Sequence, residues 1–569
     1  MFLQNSCNMW VFREGRTTTS GKSAVEELRS SLRLNSPSVD ELIDALLRAG
    51  ELECALADTA DSQAPTAASM TSVIAGALVA PETCSTAVNR ALDLLDRIVV
   101  PDSITTSPPE GFAYYALHPI DFADLAASLY LKSDRAAIVG IRSIGTTLSA
   151  VVSAALQQRE VACERITVRP EGHPFDRRTS LSAEQVRWIA ARRDAEAEFL
   201  VVDEGPGISG SSFLSVGDAL LQAGVARERI TFLCSRRADP DQLNARDAGV
   251  RWRSFRSHAV APTRYVPPEK DAYVGGGEWR RLFYEEESEW PASWTQMERL
   301  KFLSSKGESI FKFYGLGRFG NRVVERARIV GSAGFGPNVL QHSTGFCEFE
   351  MVAGRPMNES QISAAILERM ADYCAMRSVE FRIDPAPQSQ LAEMVRFNIG
   401  ETFGAEWAER VPDLPVHRIV IADGRMLPHE WIGGASVRKT DNASHGDDHF
   451  FPGPVDIAWD LAGAIVEWSM TADAAHYLLR RYHQRTGDDP RSRIDSYLLA
   501  YKVFRMAYCD MGAYSMRGSN EEPRLRRAAA HYHSLVDAQL ESPTKFRRVP
   551  RISAAVRSVP AAEPESRAS

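Results

Sequence analysis

Apolar and polar positions follow three different patterns along the chain. In SVDELIDALLRAG (38–50) apolar residues recur at helical spacing, which predicts a helix capped by Ser38 and ended by Gly50. A second helical pattern covers 85–99, and a stretch rich in proline and serine at 101–111 interrupts it. The first part of the chain is therefore predicted to be helical.

Between residues 112 and about 260, short apolar runs alternate with helical ones, which is typical of a parallel sheet with crossover helices. The later part begins β-rich and ends helical. The predicted fold class is α/β, with this parallel-sheet unit, a second, two-lobed α+β unit and a helical N-terminal region. The predicted boundaries are an irregular N-terminus at 1–25, the helical region at 26–110, the parallel-sheet domain at 111–265, a linker at 266–289, the α+β domain at 290–541 and a disordered tail at 542–569.

Composition narrows the choice of function. The 569 residues are 44% hydrophobic and 25% charged, with a formal net charge of −8, so a collagenous or mainly disordered chain is excluded. The acidic balance argues against a broad nucleic-acid-binding face but leaves room for a local basic pocket. We therefore expect phosphorylated small molecules as partners, and a homo-oligomer remains open.

The eight cysteines show no CxxC spacing, so neither a zinc cage nor a disulfide framework is indicated. No segment reaches the apolar length of a membrane span, and the N-terminus lacks the pattern of a secretory signal. We expect a cytoplasmic protein without a membrane partner.

The stretch FLVVDEGPGISGSSF (199–213) joins a buried strand to a helix through acids, glycines and hydroxyls. Asp203 and Glu204 stand where the strand emerges, the end at which open α/β sheets bind ligands. The glycines permit a tight loop whose amide groups converge before the helix, an arrangement that binds phosphate. The acids are then left to bind sugar hydroxyls, a metal ion or both.

This arrangement resembles the phosphoribosyl-pyrophosphate motif of type I phosphoribosyltransferases over about 112–260. The resemblance implies that Asp203 and Glu204 hold the ribose hydroxyls in a Mg²⁺-dependent displacement of pyrophosphate by a nitrogen nucleophile. AIVGIRSIGTTLSAVV (137–152) is similar to the family's pyrophosphate loop. The implied phosphate contacts are Gly207, Ser209, Gly210, Ser211 and Ser212 in the first loop and Gly140, Arg142, Gly145 and Thr146 in the second.

Between these loops, ITVRPEGHPFDRRTSLS (166–182) carries Arg169, His173, Arg177 and Arg178. Arginine forks match the oxygens of a pyrophosphate leaving group, so these residues could close over the site. The alternative is a solvated charged loop, and the sequence leaves both open.

A second constellation lies in ESIFKFYGLGRFGNRVVERARIVGSAGF (308–335). Lys312 stands inside an apolar strand, where an unpaired charge is costly, and Glu325 stands on the next helix. Kinases use such a Lys–Glu pair to hold ATP phosphates. Together with GFCEFEMVAGRP (345–356), the pattern resembles aminoglycoside-phosphotransferase-like enzymes.

In that resemblance, Asp423 is the catalytic base and Asp441 the metal ligand, while Asp460 orders the catalytic loop. The family's second metal-binding residue, an Asn, would fall at Pro428, so His429 or Glu430 would replace it. HGDDHFF (445–451) allows either a dedicated metal site or a polar loop beside the nucleotide.

The leading hypothesis is a phosphoribosyltransferase-like enzyme, a glycosyltransferase, fused to a kinase-like phosphotransferase domain, acting on a small metabolite or nucleobase with Mg²⁺, phosphoribosyl pyrophosphate and ATP. A non-catalytic nucleotide sensor or scaffold is the first alternative, favoured by Pro428 and by Ile208, which stands where a hydroxyl is common in the family. The second alternative is an active small-molecule kinase with a substrate-selecting phosphoribosyltransferase-like domain.

Overall fold

The computed structural model describes residues 8–11, 15–33, 37–173, 175–207, 209–261, 270–384 and 389–541. The predictions for Ile208 and for the tail at 542–569 lie outside these residues. Within the described ranges, every helix is too short or too polar to cross a lipid bilayer.

The N-terminal region is a bundle of four helices closed by a two-stranded ribbon. Its elements are β1 (Thr17–Ser20), α1 (Gly21–Leu32), α2 (Val39–Asp58), α3 (Ala64–Val79), α4 (Cys84–Arg97) and β2 (Ser103–Thr106). Ser38 caps α2 as predicted, in a reciprocal pair with Glu41. The helix continues through Gly50 to Asp58, because a single glycine costs less than the apolar packing on both sides of it contributes.

Next along the chain comes a five-stranded sheet in the order β4-β3-β7-β8-β9, with every neighbouring pair parallel. This confirms the predicted parallel sheet. The elements are α5 (Glu110–Ala113), α6 (Pro119–Ser128), β3 (Arg135–Ile141), α7 (Ile144–Gln158), β4 (Ala162–Val168), β5 (Pro170–Glu171), β6 (Arg178–Thr179), α8 (Ala183–Asp194), β7 (Glu198–Val202), α9 (Ser211–Gln222), β8 (Ile230–Cys234), α10 (Ala248–Arg253) and β9 (Arg256–Ala259).

Both faces of this sheet are covered. Ala137 and Val139 of β3 pack in one core with Phe213 of α9, whereas Ile138 packs in another core with the N-terminal helices. That second core also includes Phe311 of the following unit. The N-terminal bundle therefore supplies one covering layer of the parallel sheet and shares its core with it.

The second unit begins with an antiparallel sheet in the order β10-β11-β12-β14-β13. Its elements are β10 (Lys270–Tyr273), β11 (Lys301–Ser304), β12 (Ser309–Phe313), α11 (Arg318–Ser332), β13 (Val339–Ser343) and β14 (Phe346–Glu350). Because β10 belongs to this sheet, the unit starts inside the stretch predicted as a linker. Likewise, β1 and the start of α1 lie inside the N-terminus predicted as irregular.

The remainder is mainly helical and holds the largest apolar core. Short strands at the junction with the sheet carry the polar residues of interest. The elements are β15 (Arg355–Pro356), α12 (Ala364–Glu380), α13 (Leu391–Phe403), α14 (Ala405–Ala408), β16 (Ile419–Val420), β17 (Trp431–Gly433), β18 (Arg438–Lys439), β19 (Val455–Asp456), α15 (Ala458–Glu467), α16 (Ala472–Thr486), α17 (Ile494–Ser515) and α18 (Glu521–Glu541).

Helix α2 is fixed to the parallel sheet by a buried ion pair. Both guanidinium nitrogens of Arg165, on β4, donate to the Glu53 carboxylate at 2.7 Å. The Arg165 side chain is only 6% exposed and the Glu53 side chain only 2%. Since water is largely excluded, each charge is stabilised mainly by the other.

Removing one partner of this pair tests how strongly α2 is held. Glu53→Ala leaves the Arg165 guanidinium buried without its carboxylate, and we expect a loss of about 3–5 kcal/mol, seen as a lower midpoint in urea unfolding. Glu26→Ala, at an exposed position of α1, should change stability by less than about 0.5 kcal/mol. Equal losses in the two variants would contradict the assignment.

Candidate functional site

Two sets of predicted residues come together in the structure, the first at the carboxyl edge of the parallel sheet. Asp203 and Glu204 follow β7 there, and the loop at 142–146 follows β3 directly beside them. The contact is close, because a Cβ atom on Gly145 would lie 2.4 Å from the Val202 carbonyl oxygen and 3.4 Å from the Asp203 side chain. The sequence therefore places the acids and the second loop correctly at one edge.

Both acids already accept hydrogen bonds from the backbone. Asp203 accepts from the amides of Glu204 and Gly145, and Glu204 accepts from the amide of Gly111 in α5. Burial raises the pKa of Asp203 to about 7. Burial, with the neighbouring Asp203 and Glu110, raises the pKa of Glu204 to about 8. A ligand for these carboxylates would have to replace contacts with the protein's own backbone.

The glycine and serine loop has the shape that its sequence predicts. Gly207 and Gly210 take positive φ values of 62° and 70°, and α9 begins at Ser211. Ser209 accepts a hydrogen bond from the Ser211 amide at 3.2 Å, and its hydroxyl donates to the Ser211 hydroxyl at 3.0 Å. Ser212 is half-buried in the first turn of α9. The loop thus forms a turn at a helix N-terminus.

The second predicted loop is covered by the end of α2. Arg142 donates to Asp58 at 3.1 Å, so its charge is already paired. Gly140 lies inside β3, where a Cβ atom would meet the Gly145 carbonyl oxygen at 2.4 Å. Thr146 is fully buried, and its hydroxyl has no hydrogen-bond partner among the described residues.

The segment between the loops divides into two parts. Arg169 donates to Asp58 at 3.0 Å and belongs to the covered loop. His173, Arg177 and Arg178 lie in or beside the β5–β6 hairpin, where the Arg178 side chain is 83% exposed. His173 and Arg178 are exposed, and the half-buried Arg177 donates to the Gly172 carbonyl oxygen within the same hairpin.

The second constellation centres on Lys312. Its ammonium group, on β12, contacts the Asp441 carboxylate that follows β18. The expected partner Glu325 is instead exposed on α11, because the helix turns the next residue, Arg326, inward to the Ala443 carbonyl oxygen. The predicted Lys312–Glu325 pair is therefore wrong, and Asp441 takes its place.

The electrostatics of this pair are shaped by burial. Desolvation lowers the pKa of Lys312 to about 8, since Lys301 and Arg299 nearby offset part of the attraction to Asp441. Burial alone would raise the pKa of Asp441, but the attraction of Lys312 holds it well below its usual value.

Two further groups complete a cluster with Asp441. One ligand atom each of Glu430, Asp441 and His445 lies within 4.8 Å of the others. Of the two residues considered as replacements for the missing Asn, Glu430 is the one in this cluster, whereas His429 stacks on Trp279 with ring centroids 5.6 Å apart. The cluster offers carboxylate oxygens, the ligands that Mg²⁺ prefers.

Asp423, the predicted base, is fully buried next to this cluster. Its carboxylate accepts a hydrogen bond from Tyr373 and lies 3.2 Å from the Lys439 ammonium. Lys439 is also fully buried and donates to Glu430 at 2.7 Å. An acceptor hydroxyl could reach Asp423 only after one of these partners moved.

The loop that carries Asp423 is held by Asp460, as the resemblance implies. Asp460 accepts hydrogen bonds from the amides of Asp423 at 2.9 Å and Gly424 at 3.1 Å. Arg377 joins this loop to the one after β18 by donating to the carbonyl oxygens of Ile421 and Asn442. Burial raises the pKa of Asp460 to about 6, although Arg377 opposes the shift.

The four possible ligands of HGDDHFF face different partners. His445 faces Asp441 at 3.5 Å, and Asp447 pairs with Arg326. Asp448 lies 3.2 Å from His449, whose other ring nitrogen is 2.7 Å from the Tyr115 hydroxyl. The four therefore do not form a dedicated site of their own, and this segment joins the second unit to the parallel-sheet unit.

Sequence reasoning missed Lys439, Tyr373 and Asp58. Lys439 could have been recognised from the sequence. Like Lys312, it is a lysine in a strand, where a buried charge needs a partner. Asp58 carried a weaker signal, since it is an acid in the last turn of a helix, where the backbone dipole disfavours negative charge. Tyr373 gave no signal, because an aromatic residue on a buried helix face is ordinary.

Comparison with known proteins gives distant likenesses only. No protein-family model matches the chain, and no curated protein matches its sequence. Among solved structures, the chain is similar to a choline/ethanolamine kinase family protein from Mesorhizobium loti, with 17% identity, a TM-score of 0.31, and coverage of 43% of this chain and 86% of that one. For the choline kinase LicA from Streptococcus pneumoniae the values are 14%, 0.30, 42% and 89%. For the gentamicin–APH(2″)-IIa complex they are 11%, 0.29, 41% and 87%.

The acids at the sheet edge make a testable contribution to stability. With folded pKa values of about 7 and 8 against ordinary values of 3.8 and 4.5, the folded state holds more protons between about pH 4 and pH 8. Stability should therefore fall as pH rises through this window. Asp203→Asn with Glu204→Gln should remove this dependence, so that the variant melts above wild type at pH 8 and the gap narrows toward pH 5.

Thermal melts at several pH values provide the measurement. Asp134→Asn, at a position 87% exposed, is the matched control and should follow wild type at each pH. A wild-type melting temperature that rises between pH 5 and pH 8, with the double variant following it, would show that burial does not set the protonation of these acids.

Proposed function

We propose that residues 270–541 form a kinase-like phosphotransferase unit that binds a magnesium nucleoside triphosphate. The observation that carries the proposal is the buried contact between Lys312 and Asp441, with Glu430 in the same cluster. A lysine beside a metal-binding carboxylate is the arrangement that positions the phosphates of a nucleotide in phosphoryl-transfer sites. In this proposal Lys312 binds phosphate oxygens, and Asp441 and Glu430 hold Mg²⁺, which would neutralise charge on the phosphates.

The transfer step depends on Asp423. Phosphoryl transfer needs a carboxylate that orients the acceptor hydroxyl and accepts its proton. Here that carboxylate is engaged by Lys439 and Tyr373. We therefore expect nucleotide binding to be readily measurable and transfer to a small-molecule acceptor to be slow until an acceptor displaces Lys439 from Asp423.

Calorimetric titration of ATP with and without Mg²⁺ tests the binding. Lys312→Ala should weaken binding at least about tenfold, corresponding to a loss of ~1.4 kcal/mol. Asp441→Asn should remove the dependence on Mg²⁺. Glu325→Gln is the matched control, since Glu325 lies exposed on the neighbouring helix and should leave the affinity unchanged.

Two results separate the alternatives. ATP bound equally well by wild type and by both site variants would sink the proposal. If the site variants lose binding, but wild type and Asp423→Asn show the same negligible ATP turnover with every acceptor tried, the unit is a nucleotide-binding scaffold and not a phosphotransferase.

A second candidate function concerns the parallel sheet. We propose that its carboxyl edge binds a ribose phosphate, with phosphoribosyl pyrophosphate as the ligand suggested by the motif. What favours it is that Asp203, followed by Glu204, lies against Gly145 of the loop at 142–146, and that α9 begins at Ser211 shortly after these acids. The acids would exchange their contacts with Gly145 and Gly111 for ribose hydroxyls.

Titration of phosphoribosyl pyrophosphate into wild type and into Asp203→Asn/Glu204→Gln tests this candidate. We expect Mg²⁺-dependent binding that the double variant loses, because amides cannot replace two carboxylates at a metal-bound ribose. Lack of binding to folded wild type, or equal binding to the double variant, would remove phosphoribosyl pyrophosphate as the ligand.

A further inference from the structure

The last turn of α2 lies on the loop at 142–146, and its contacts resemble those of a bound anion. The two oxygens of the Asp58 carboxylate receive hydrogen bonds from Arg142 and from both the Nε and Nη2 atoms of Arg169. Arg169 also donates to the Cys54 sulfur, one turn earlier in the same helix. Two guanidinium groups therefore converge on one carboxylate.

The two arginines are held in place by contacts that do not involve Asp58. Arg142 donates through Nε to the Thr167 hydroxyl at 3.3 Å, and Arg169 donates through Nη1 to the Arg142 carbonyl oxygen at 2.9 Å. If the carboxylate moved away, these contacts would keep the two forks directed at the same position. The pair is thus a preorganised anion site.

Burial alone would raise the pKa of the Asp58 carboxyl, but Arg169 and Arg142 lower it, while the position of Asp58 in its helix works against its charge. It is the last residue of α2, where the backbone carbonyl groups make negative charge unfavourable, and the last turn carries no basic residue to offset this. Its side chain is 33% exposed, so water and solutes reach it. A phosphate group offers more oxygens and more charge to the two guanidinium groups than a carboxylate does.

We propose that Asp58 is a built-in competitor, whose carboxylate occupies the Arg142–Arg169 site until a ligand carrying a phosphate or diphosphate group displaces it. The site is then closed in the resting state and opens when the end of α2 moves. This inference deepens the second candidate function, but it requires no ribose, and inorganic pyrophosphate alone can test it.

The experiment is calorimetric titration of inorganic pyrophosphate into wild type and Asp58→Ala. Removing the competing carboxylate should tighten the binding of pyrophosphate about tenfold, which corresponds to ~1.4 kcal/mol of binding free energy. Adding Arg142→Ala and Arg169→Ala to Asp58→Ala should abolish the gain. Asp134→Asn removes an exposed carboxylate of the same unit and should bind pyrophosphate as wild type does.

Folding of each variant is checked by its thermal melt, and Asp58→Asn, which keeps the side-chain shape, replaces Asp58→Ala if the latter does not fold. Equal pyrophosphate affinity in wild type and in the folded Asp58 variant would overturn the proposal, and so would a gain that survives loss of both arginines. Tighter pyrophosphate binding in the Asp58 variant would support the role of Asp58 as a competitor. If phosphoribosyl pyrophosphate also fails to bind wild type, only the proposed ribose-phosphate function is overturned.

Discussion

The need to pair buried charges determines how this chain is assembled. Lys312 and Asp441 come from different parts of the second unit, and each would be expensive to bury alone. The same requirement links Lys439 with Asp423 and Glu430. Lys312 and Asp441 are 129 residues apart, so their pairing fixes how β12 is placed against the loop after β18, whereas the Lys439 contacts order the segment from Asp423 to Asp441 itself. The pairs also keep the cluster rigid, because moving one charged group would leave its partner buried without a counter-charge.

This constraint has opposite effects on binding and on chemistry. In the proposed binding, a phosphate would replace Asp441 as the partner of Lys312, and Mg²⁺ would replace Lys312 as the partner of Asp441. A neutral acceptor hydroxyl at Asp423 would differ in this respect. It would separate Asp423 from the Lys439 ammonium, and an uncharged group cannot replace the carboxylate as the partner of that lysine. Buried paired charges of this kind would accept a charged ligand more easily than an uncharged one.

Local sequence was informative wherever short-range physics decides the structure. The parallel sheet follows from apolar runs alternating with helical ones, and the turn before α9 follows from Gly207 and Gly210, which adopt positive φ. The contact of Asp460 with the loop of Asp423, 37 residues away, came instead from the family resemblance. Lys312 was correctly judged to need a partner, but the choice of Glu325 failed. The phase of α11 turns Arg326 inward, and nothing in the local pattern shows which of two adjacent charged residues faces the sheet.

Long-range pairing was beyond the reach of the pattern, and α2 shows why this matters. Its carboxyl end meets Arg142, 84 residues away, while Asp44 near its other end accepts a hydrogen bond at 2.7 Å from the amide of Arg318, 274 residues away, where α11 begins. Glu51 pairs with the side chain of the same arginine. One helix of 20 residues therefore contacts both the loop at 142–146 and the start of α11. If ligands bind as proposed, a shift of one end of this helix would change the contacts at its other end, and the resulting coupling of the two affinities would be reciprocal. The N-terminal helices therefore connect the loop at 142–146 physically with the start of α11, in addition to covering the parallel sheet.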